Sequence, residues 1–188
     1  MIPMDQQPIS PTSSNVLDPR KIVASFELKN GDYVADFGSG HGYFILALAR
    51  SVAPNGKVFA IDIQRSMLDV VRANVRLENI HNIEFILSDL EHAQGSKLKN
   101  DFVDLVLITN VLHQSEHKDA IIKEASRILH PEGRIALIEW KTDSTSFGPP
   151  ADMRISKDAA ISLGQAQSLS FEKEFPAGNY HYGLIFKK

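Results

Sequence analysis

A run of glycine residues follows directly after a short apolar segment and could hold part of a ligand. Residues 33–37 read YVADF, and the next five read GSGHG, with glycine at 38, 40 and 42. Glycine lets the backbone turn sharply and lie against a ligand without a side-chain collision. A helix that begins just afterwards offers free backbone N–H groups to an anionic part of that ligand. An acid, Asp36, stands two residues before the first glycine.

A second acid stands at the end of the next apolar segment. Residues 57–61 form that segment, and Asp62 follows it, 24 residues beyond Gly38. A carboxylate at this place can accept hydrogen bonds from both hydroxyls of a ribose. Either feature alone is weak, but the glycine loop and the acid at this spacing together predict a ligand of the adenosine type.

The glycine spacing disagrees with a nicotinamide dinucleotide site. The dinucleotide fingerprint is G-x-G-x-x-G, and its third glycine would fall at position 43, where this chain has Tyr43. The residues present spell D-x-G-x-G-x-G instead, from Asp36 to Gly42. A nicotinamide-dependent dehydrogenase is therefore the weaker alternative at this point.

Apolar strand-like segments alternate with helical ones along most of the chain. Strands are predicted over residues 33–37, 57–61, 83–87, 102–108, 135–138, 170–175 and 181–186. Most of them look buried on both faces, which favours a parallel sheet with helices on each side. The short turn at 176–179 predicts that the last two strands form an antiparallel hairpin. We therefore expect an α/β fold: a doubly wound, mostly parallel seven-stranded sheet with a C-terminal antiparallel hairpin.

Local signals predict where the helices begin and end. Asp18 and Pro19 are a typical N-cap and first helical residue. Ser66 and Asp69 have the spacing of a capping box for the third helix. A helix is predicted over 118–129, stopped by the segment HPEG at 130–133, and a short helix is expected near 156–163. Residues 141–155 should form a polar loop.

The chain divides into two predicted parts. The first 17 residues, rich in proline, serine and glutamine up to residue 15, are expected to be a flexible arm, or one ordered by ligand. Residues 18–188 are expected to form a single domain, which suits a chain of this length.

The acid-glycine motif and the closing hairpin resemble those of the class I S-adenosylmethionine-dependent methyltransferases. The resemblance covers about residues 18–188 and also includes Ser88-Asp89-Leu90, residues 104–110 and Pro131-Glu132-Gly133. Within that superfamily the chain is most similar to small-molecule enzymes related to ubiquinone and menaquinone C-methylation. The resemblance implies S-adenosylmethionine as the cofactor and an in-line methyl transfer to a small molecule.

The resemblance also implies a role for each matching residue. The methionine part of the cofactor would lie along Gly38, Ser39, Gly40 and Gly42, with Asp36 bracing that loop. Asp62 would hold the ribose, and Ile63 would pack on the adenine. Asp89 would accept from the adenine amino group, with Leu90 nearby, and Thr109 and Asn110 would flank the sulfonium. Taken singly, Asp36 and Asp89 are equally well explained as turn or loop caps.

His113 is the candidate general base, if the acceptor must lose a proton. It lies just beyond the fourth predicted strand, and imidazole titrates near neutral pH. A histidine that caps the next element or faces solvent is an equally good interpretation.

The segment His113–His117 also matches H-x-x-E-H, a zinc motif that requires both histidines on one continuous helix. An apolar strand precedes this segment and the next helix begins near 115–118, so no metal site is expected. Glu139 and Trp140 end the fifth strand and could border the substrate cavity.

Composition excludes several classes of function. The chain has no cysteine, which removes disulfides, thiolate metal sites and cysteine nucleophiles, and with them arsenite and cytosine C5 methylation. A net charge of −3 does not favour nucleic acid as a partner. No apolar stretch is long enough to span a membrane. We expect a cytoplasmic enzyme with a small-molecule acceptor. The edge of the C-terminal hairpin could pair with a second copy to form a homodimer. The remaining alternative is a protein that binds S-adenosylmethionine without catalysis.

Overall fold

A single seven-stranded sheet forms the centre of the computed structural model, which describes residues 17–143 and 147–188. The strands are β1 Tyr33–Phe37, β2 Lys57–Asp62, β3 Ile83–Leu87, β4 Val103–Thr109, β5 Leu129–Trp140, β6 Ser170–Phe175 and β7 His181–Lys187. Their order is β3-β2-β1-β4-β5-β7-β6, with β1 to β5 parallel and β7 antiparallel to both of its neighbours. The predicted fold class is confirmed.

Within the described residues, five helices cover the two faces of the sheet. They are α1 Pro19–Ala24, α2 Ile45–Val52, α3 Arg65–Leu77, α4 Lys118–Ile128 and α5 Lys157–Ala166, with 3-10 turns at Leu112–Gln114 and Ala151–Met153. Side chains of α1, α2 and α3 pack on one face and those of α4 and α5 on the other, which divides the core in two. Successive residues of one strand alternate between these cores, as Leu105 and Val106 of β4 do. Burial on both faces explains why the inner strands β1, β2 and β4 are mostly apolar, whereas the edge strand β6 is polar and largely exposed.

The sequence signals for helix starts are correct for α1 and wrong for α3. The Asp18 carboxylate accepts hydrogen bonds from the backbone N–H groups of Arg20 and Lys21, so the predicted cap of α1 is confirmed. The capping box predicted at Ser66 is wrong. The third helix already begins at Arg65, and its N-cap residue makes no side-chain cap bond. Asp69 instead pairs with Arg72 on the helix surface, because residues three apart on a helix are neighbours.

The segment HPEG belongs to β5 instead of ending α4 as a separate loop. The strand runs from Leu129 to Trp140, six residues longer at its start than predicted. Leu129 pairs with Val103, and the register then shifts so that Arg134 pairs with Leu105. Glu132 has a φ of 70°, which lets the chain carry the extra residues and rejoin the ladder. Sequence signals for turns are the same whether the chain leaves the sheet or bulges within it.

Leu17 is the first described residue, and its side chain is buried. The rest of the predicted arm, residues 1–16, lies outside the described part of the chain, as do residues 144–146 of the predicted polar loop. Across the described ranges, no helix is long and apolar enough to cross a membrane.

Candidate functional site

The glycine loop and Asp62 meet at the carboxyl ends of β1 and β2. These strands pair in parallel, so both ends lie at the same edge of the sheet. The Asp62 Oδ2 atom accepts a hydrogen bond of 2.8 Å from the Gly40 backbone N–H, and Oδ1 accepts one of 2.8 Å from the Gln64 N–H. The residue is only 7% exposed. An ionised carboxylate has about four lone-pair sites, so each oxygen can still accept a further bond from a ligand.

All three glycines of the loop have a positive φ that other residues rarely adopt, and two of them also pack closely against apolar side chains. Gly38 has a φ of 69° and Gly42 a φ of 80°. A Cβ at Gly38 would lie 2.5 Å from a methyl group of Val111, and one at Gly42 would lie 2.9 Å from Val71. The glycines therefore permit close packing of the loop against the chain that follows β4 and against α3.

A cleft of about 530 Å³ opens between the glycine loop and the chain after β3. This volume lies within the usual range for small-molecule and cofactor sites. Six of the residues predicted to bind a cofactor line it: Gly38, Gly40, Asp62, Ile63, Asp89 and Leu90. Ile63 is 63% exposed although it is a large apolar residue, as expected of a side chain that packs on a ligand. His41, Gln64, Met67, Ser88, Glu91, Val111, Gln114, Ser115 and Ile121 complete the lining.

The chain after β3 is held by carboxylates. Asp89 accepts from the Glu91 backbone N–H at 2.9 Å and pairs with the imidazole of His92 at 3.0 Å. The Glu91 carboxylate in turn accepts from the backbone N–H groups of Glu116 and His117, just before α4. Asp89 thus has the turn-capping role that the sequence left open, and it also lines the cleft. Glu91 was not predicted, since only the fold brings it to the start of α4.

The remaining predicted residues lie beside the cleft, at the ends of β1 and β4. Ser39 Oγ, Thr109 Oγ1 and Asn110 Oδ1 are buried without a hydrogen-bond partner among the described residues. Unpaired buried polar atoms are costly and call for a missing partner. Asp36 is also buried, and burial together with the nearby Asp62 charge raises its pKa to about 7. Unpaired hydroxyl and amide groups, together with the buried Asp36 carboxyl and the glycine backbone, fit a polar, cationic ligand such as S-adenosylmethionine.

His113 lies in the 3-10 turn after β4 and not in the lining of that cleft. It borders a second cavity of about 910 Å³, together with Lys118, Arg154 and Ile155. Its Nδ1 atom lies 3.0 Å from Oε2 of Glu139, which is fully buried at the end of β5. In the described part of the chain, no group of three metal-ligating side chains is found. The H-x-x-E-H segment is broken between the 3-10 turn and α4, so its histidines do not share a helix.

A buried arginine organises the loop after β5. The Arg154 guanidinium donates to the backbone carbonyls of Lys141, Phe147 and Pro149 at 2.8, 2.8 and 2.9 Å. It also lies 5.9 Å from the ring of Trp140. The sequence predicts only a polar loop over residues 141–155. A buried arginine cannot be recognised from the sequence, because most arginines are exposed.

Sheet order and cleft together define a Rossmann-like methyltransferase fold. A family model described as a methyltransferase domain matches residues 28–170. The chain belongs to that family, which confirms the class I S-adenosylmethionine-dependent resemblance and its cofactor.

Similar proteins agree with this assignment. The chain is 32% identical over 155 residues to the ubiquinone/menaquinone biosynthesis C-methyltransferase of Pseudomonas putida, covering 76% of this chain and 59% of that protein. It is 28% identical over 130 residues to the arsenite methyltransferase of Halobacterium salinarum, covering 69% of this chain and 32% of that protein. A solved S-adenosylmethionine-dependent methyltransferase from Aquifex aeolicus superposes with a TM-score of 0.84 at 25% identity, covering 95% of this chain and 93% of that chain. The chain therefore spans between 32% and 59% of the length of these two curated relatives.

Proposed function

We propose that this protein transfers a methyl group from S-adenosylmethionine to a small-molecule acceptor. The observation that carries the proposal is Asp62, a buried carboxylate that is bonded to the glycine loop and lines the cleft. Buried unpaired groups of Ser39, Thr109 and Asn110 beside the cleft support it. The names of the curated relatives add support for a small acceptor. Because this chain has no cysteine, arsenite is not the acceptor that we propose.

The cofactor, when bound, supplies a methyl group already activated by its positive sulfonium. In our proposal the protein holds the ribose with Asp62, packs Ile63 and Leu90 on the adenine, and places Asp89 at its amino group. Asp36, Gly38, Ser39, Gly40 and Gly42 would contact or brace the methionine part, with Thr109 and Asn110 at the reacting end. Orientation and exclusion of water then provide most of the rate enhancement.

Three further aspects belong to the same proposal. A cytoplasmic location is supported by the absence of cysteine. A small molecule instead of nucleic acid is supported by the net charge of −3. Homodimer formation is supported by β6, which pairs only with β7 within the described sheet and so presents an edge to a second copy.

Calorimetry and product analysis test the proposal. We expect the protein to bind both S-adenosylmethionine and its demethylated product, and to show no binding of NAD. Failure to bind either form of the cofactor would overturn the proposal, and binding of NAD alone would favour the dehydrogenase. Incubation with S-adenosylmethionine and a small-molecule extract, read by mass spectrometry, should then yield demethylated cofactor and an acceptor heavier by one CH₂ unit. Binding without any such product would leave a non-catalytic binding protein.

A further inference from the structure

Glu139 is an acidic residue that is completely buried beside the turn after β4. It is the penultimate residue of β5, its side chain is 0% exposed, and the two residues before it, Leu137 and Ile138, are buried and apolar. Its Oε1 atom accepts from the backbone N–H groups of Leu112 and His113 at 2.7 and 3.3 Å. A buried carboxylate is costly unless donors surround it. Here all of those donors come from one turn, the turn that carries His113.

The second oxygen of this carboxylate determines which nitrogen of His113 carries the proton. Oε2 lies 3.0 Å from Nδ1, and an ionised carboxylate can only accept hydrogen bonds. With Glu139 ionised, this contact requires the proton on Nδ1, which leaves Nε2 of the neutral ring with a free lone pair. The described residues offer Nε2 no hydrogen-bond partner. This is the arrangement of a general base that is oriented by a third group.

The turn that carries His113 lies between the two cavities. Val111, Gln114 and Ser115 line the cofactor cleft, whereas His113 lines the 910 Å³ cavity beside it. A substrate in that second cavity would therefore meet His113, whose chain neighbours line the cofactor cleft on the other side of this turn. His181 is the other imidazole near this point, and burial with the nearby His113, Lys141 and Arg154 charges lowers its pKa to about 4. His181 is therefore a poor base at neutral pH.

We propose that Glu139 is a positioning residue that keeps His113 in the Nδ1-protonated form, so that Nε2 removes the proton of a hydroxyl-bearing acceptor. The inference rests on the proposed methyl transfer. The O–H bond breaks, its proton passes to Nε2, and its electron pair stays with the acceptor. When oxygen is methylated, that pair forms the bond to the methyl carbon while the electrons of the C–S bond leave with sulfur. When a conjugated ring carbon is methylated, the C=C pair forms that bond as the oxygen pair moves into a C=O bond. The ring carbon then loses its hydrogen as a proton, and the oxygen takes up a proton. The imidazolium then returns the proton to water.

Nitrogen NMR of the imidazole tests the positioning role without any acceptor. Wild-type protein labelled with ¹⁵N-histidine should show His113 protonated at Nδ1 at neutral pH, with the resonance assigned by its loss in His113→Asn. In Glu139→Gln the amide oxygen can keep the two backbone N–H groups and turn its NH₂ toward Nδ1. The proton should then move to Nε2. A matched control is Glu124→Gln, another buried glutamate, whose partners are Ser96 and Arg127. That control should leave the His113 form unchanged.

The outcomes separate this inference from the proposed function. Two results would overturn the positioning role. One is a proton on Nε2 of His113 in the wild type, and the other is a proton that stays on Nδ1 in folded Glu139→Gln. The wild-type measurement decides by itself if Glu139→Gln does not fold. Calorimetry with S-adenosylmethionine should give equal affinity for Glu139→Gln and wild type, since neither Glu139 nor His113 lines the cofactor cleft. Loss of binding in the wild type itself would refute the proposed function and leave the histidine result standing.

Kinetics with the acceptor found by product analysis tests the chemical role. Loss of the correctly oriented base should lower kcat/KM about 100-fold or more in Glu139→Gln and in His113→Asn. His117→Asn is the control, an exposed histidine four residues along the chain, and it should keep wild-type turnover. An acceptor without a hydroxyl group, or full activity in Glu139→Gln, would contradict the assignment.

Discussion

At the scale of single residues, Asp62 combines a structural bond with a proposed ligand bond. One oxygen holds the Gly40 N–H and the other holds the Gln64 N–H, which fixes the carboxylate at the edge of the cleft. Its position at the end of a strand and its spacing from the glycines were sufficient to predict from the sequence that Asp62 belongs to this site. The His113–Glu139 contact was not predicted as a pair, because the two residues are 26 positions apart and only strand pairing brings them together.

Replacement of Asp62 by alanine should weaken S-adenosylmethionine binding at least tenfold. The variant would lose the proposed bonds to the ribose and also releases the Gly40 N–H. About 1.4 kcal/mol corresponds to a tenfold change in affinity. Calorimetry checks this result, with Asp69→Ala as the control, since Asp69 lies on the exposed surface of α3 and pairs only with Arg72. An unchanged affinity for Asp62→Ala would show that the ribose lies elsewhere.

At the scale of elements, the loop after β5 depends on Arg154 for its shape. The arginine bonds three backbone carbonyls, and Gly148 packs so tightly against Trp140 that a Cβ would lie 2.7 Å from the ring. The strand and helix boundaries were largely predictable, because burial leaves an apolar period in the sequence. A loop fixed by one buried cation leaves no such period, so its structure could not be predicted.

Arg154→Ala should loosen this loop while leaving the cofactor site intact. Loss of these charge-assisted bonds should raise hydrogen exchange of the backbone amides in 147–154 by tenfold or more, an opening cost of about 1.4 kcal/mol. Peptide-resolved hydrogen exchange measures the change, and S-adenosylmethionine affinity should remain within about twofold. The control Lys157→Ala removes an exposed pair with Glu174 and should leave exchange in the loop as in the wild type. Equal protection in Arg154→Ala would contradict the proposed clamp.

At the scale of the whole molecule, the sheet places an ionisable group in its own centre. Asp36 lies in β1, which has two strands on one side and four on the other. Burial and the Asp62 charge raise its pKa from 3.8 to about 7. The folded protein therefore binds more protons than the unfolded chain between about pH 4 and 7. Ionisation of this carboxyl therefore lowers the free energy of unfolding as pH rises through that range. The loss of stability is absent below about pH 4 and complete above about pH 7.

Asp36→Asn should remove this loss of stability, because the amide has nearly the shape of the protonated acid and does not ionise. Without ligand, the variant should be more stable than wild type by about 4 kcal/mol at pH 8, with the difference closing toward pH 4. Urea unfolding at several pH values measures it. Asp152→Asn, at an exposed aspartate, should follow the wild-type curve. A difference between Asp36→Asn and wild type that does not change with pH would contradict the prediction.

The sequence by itself determined the fold class, the acid-glycine loop and Asp62, since each depends on local pattern and on spacing along one strand–helix–strand unit. Tertiary structure alone decided which side chains share a cavity. Of the eleven residues predicted to bind the cofactor, six line the cleft in the folded protein. The other five lie beside it: Asp36, Ser39, Gly42, Thr109 and Asn110. Tertiary structure likewise placed His113 against Glu139 and Arg154 beneath its loop. Contacts between distant segments depend on strand order and on the path of each connection, and neither leaves a periodic mark in the residues involved.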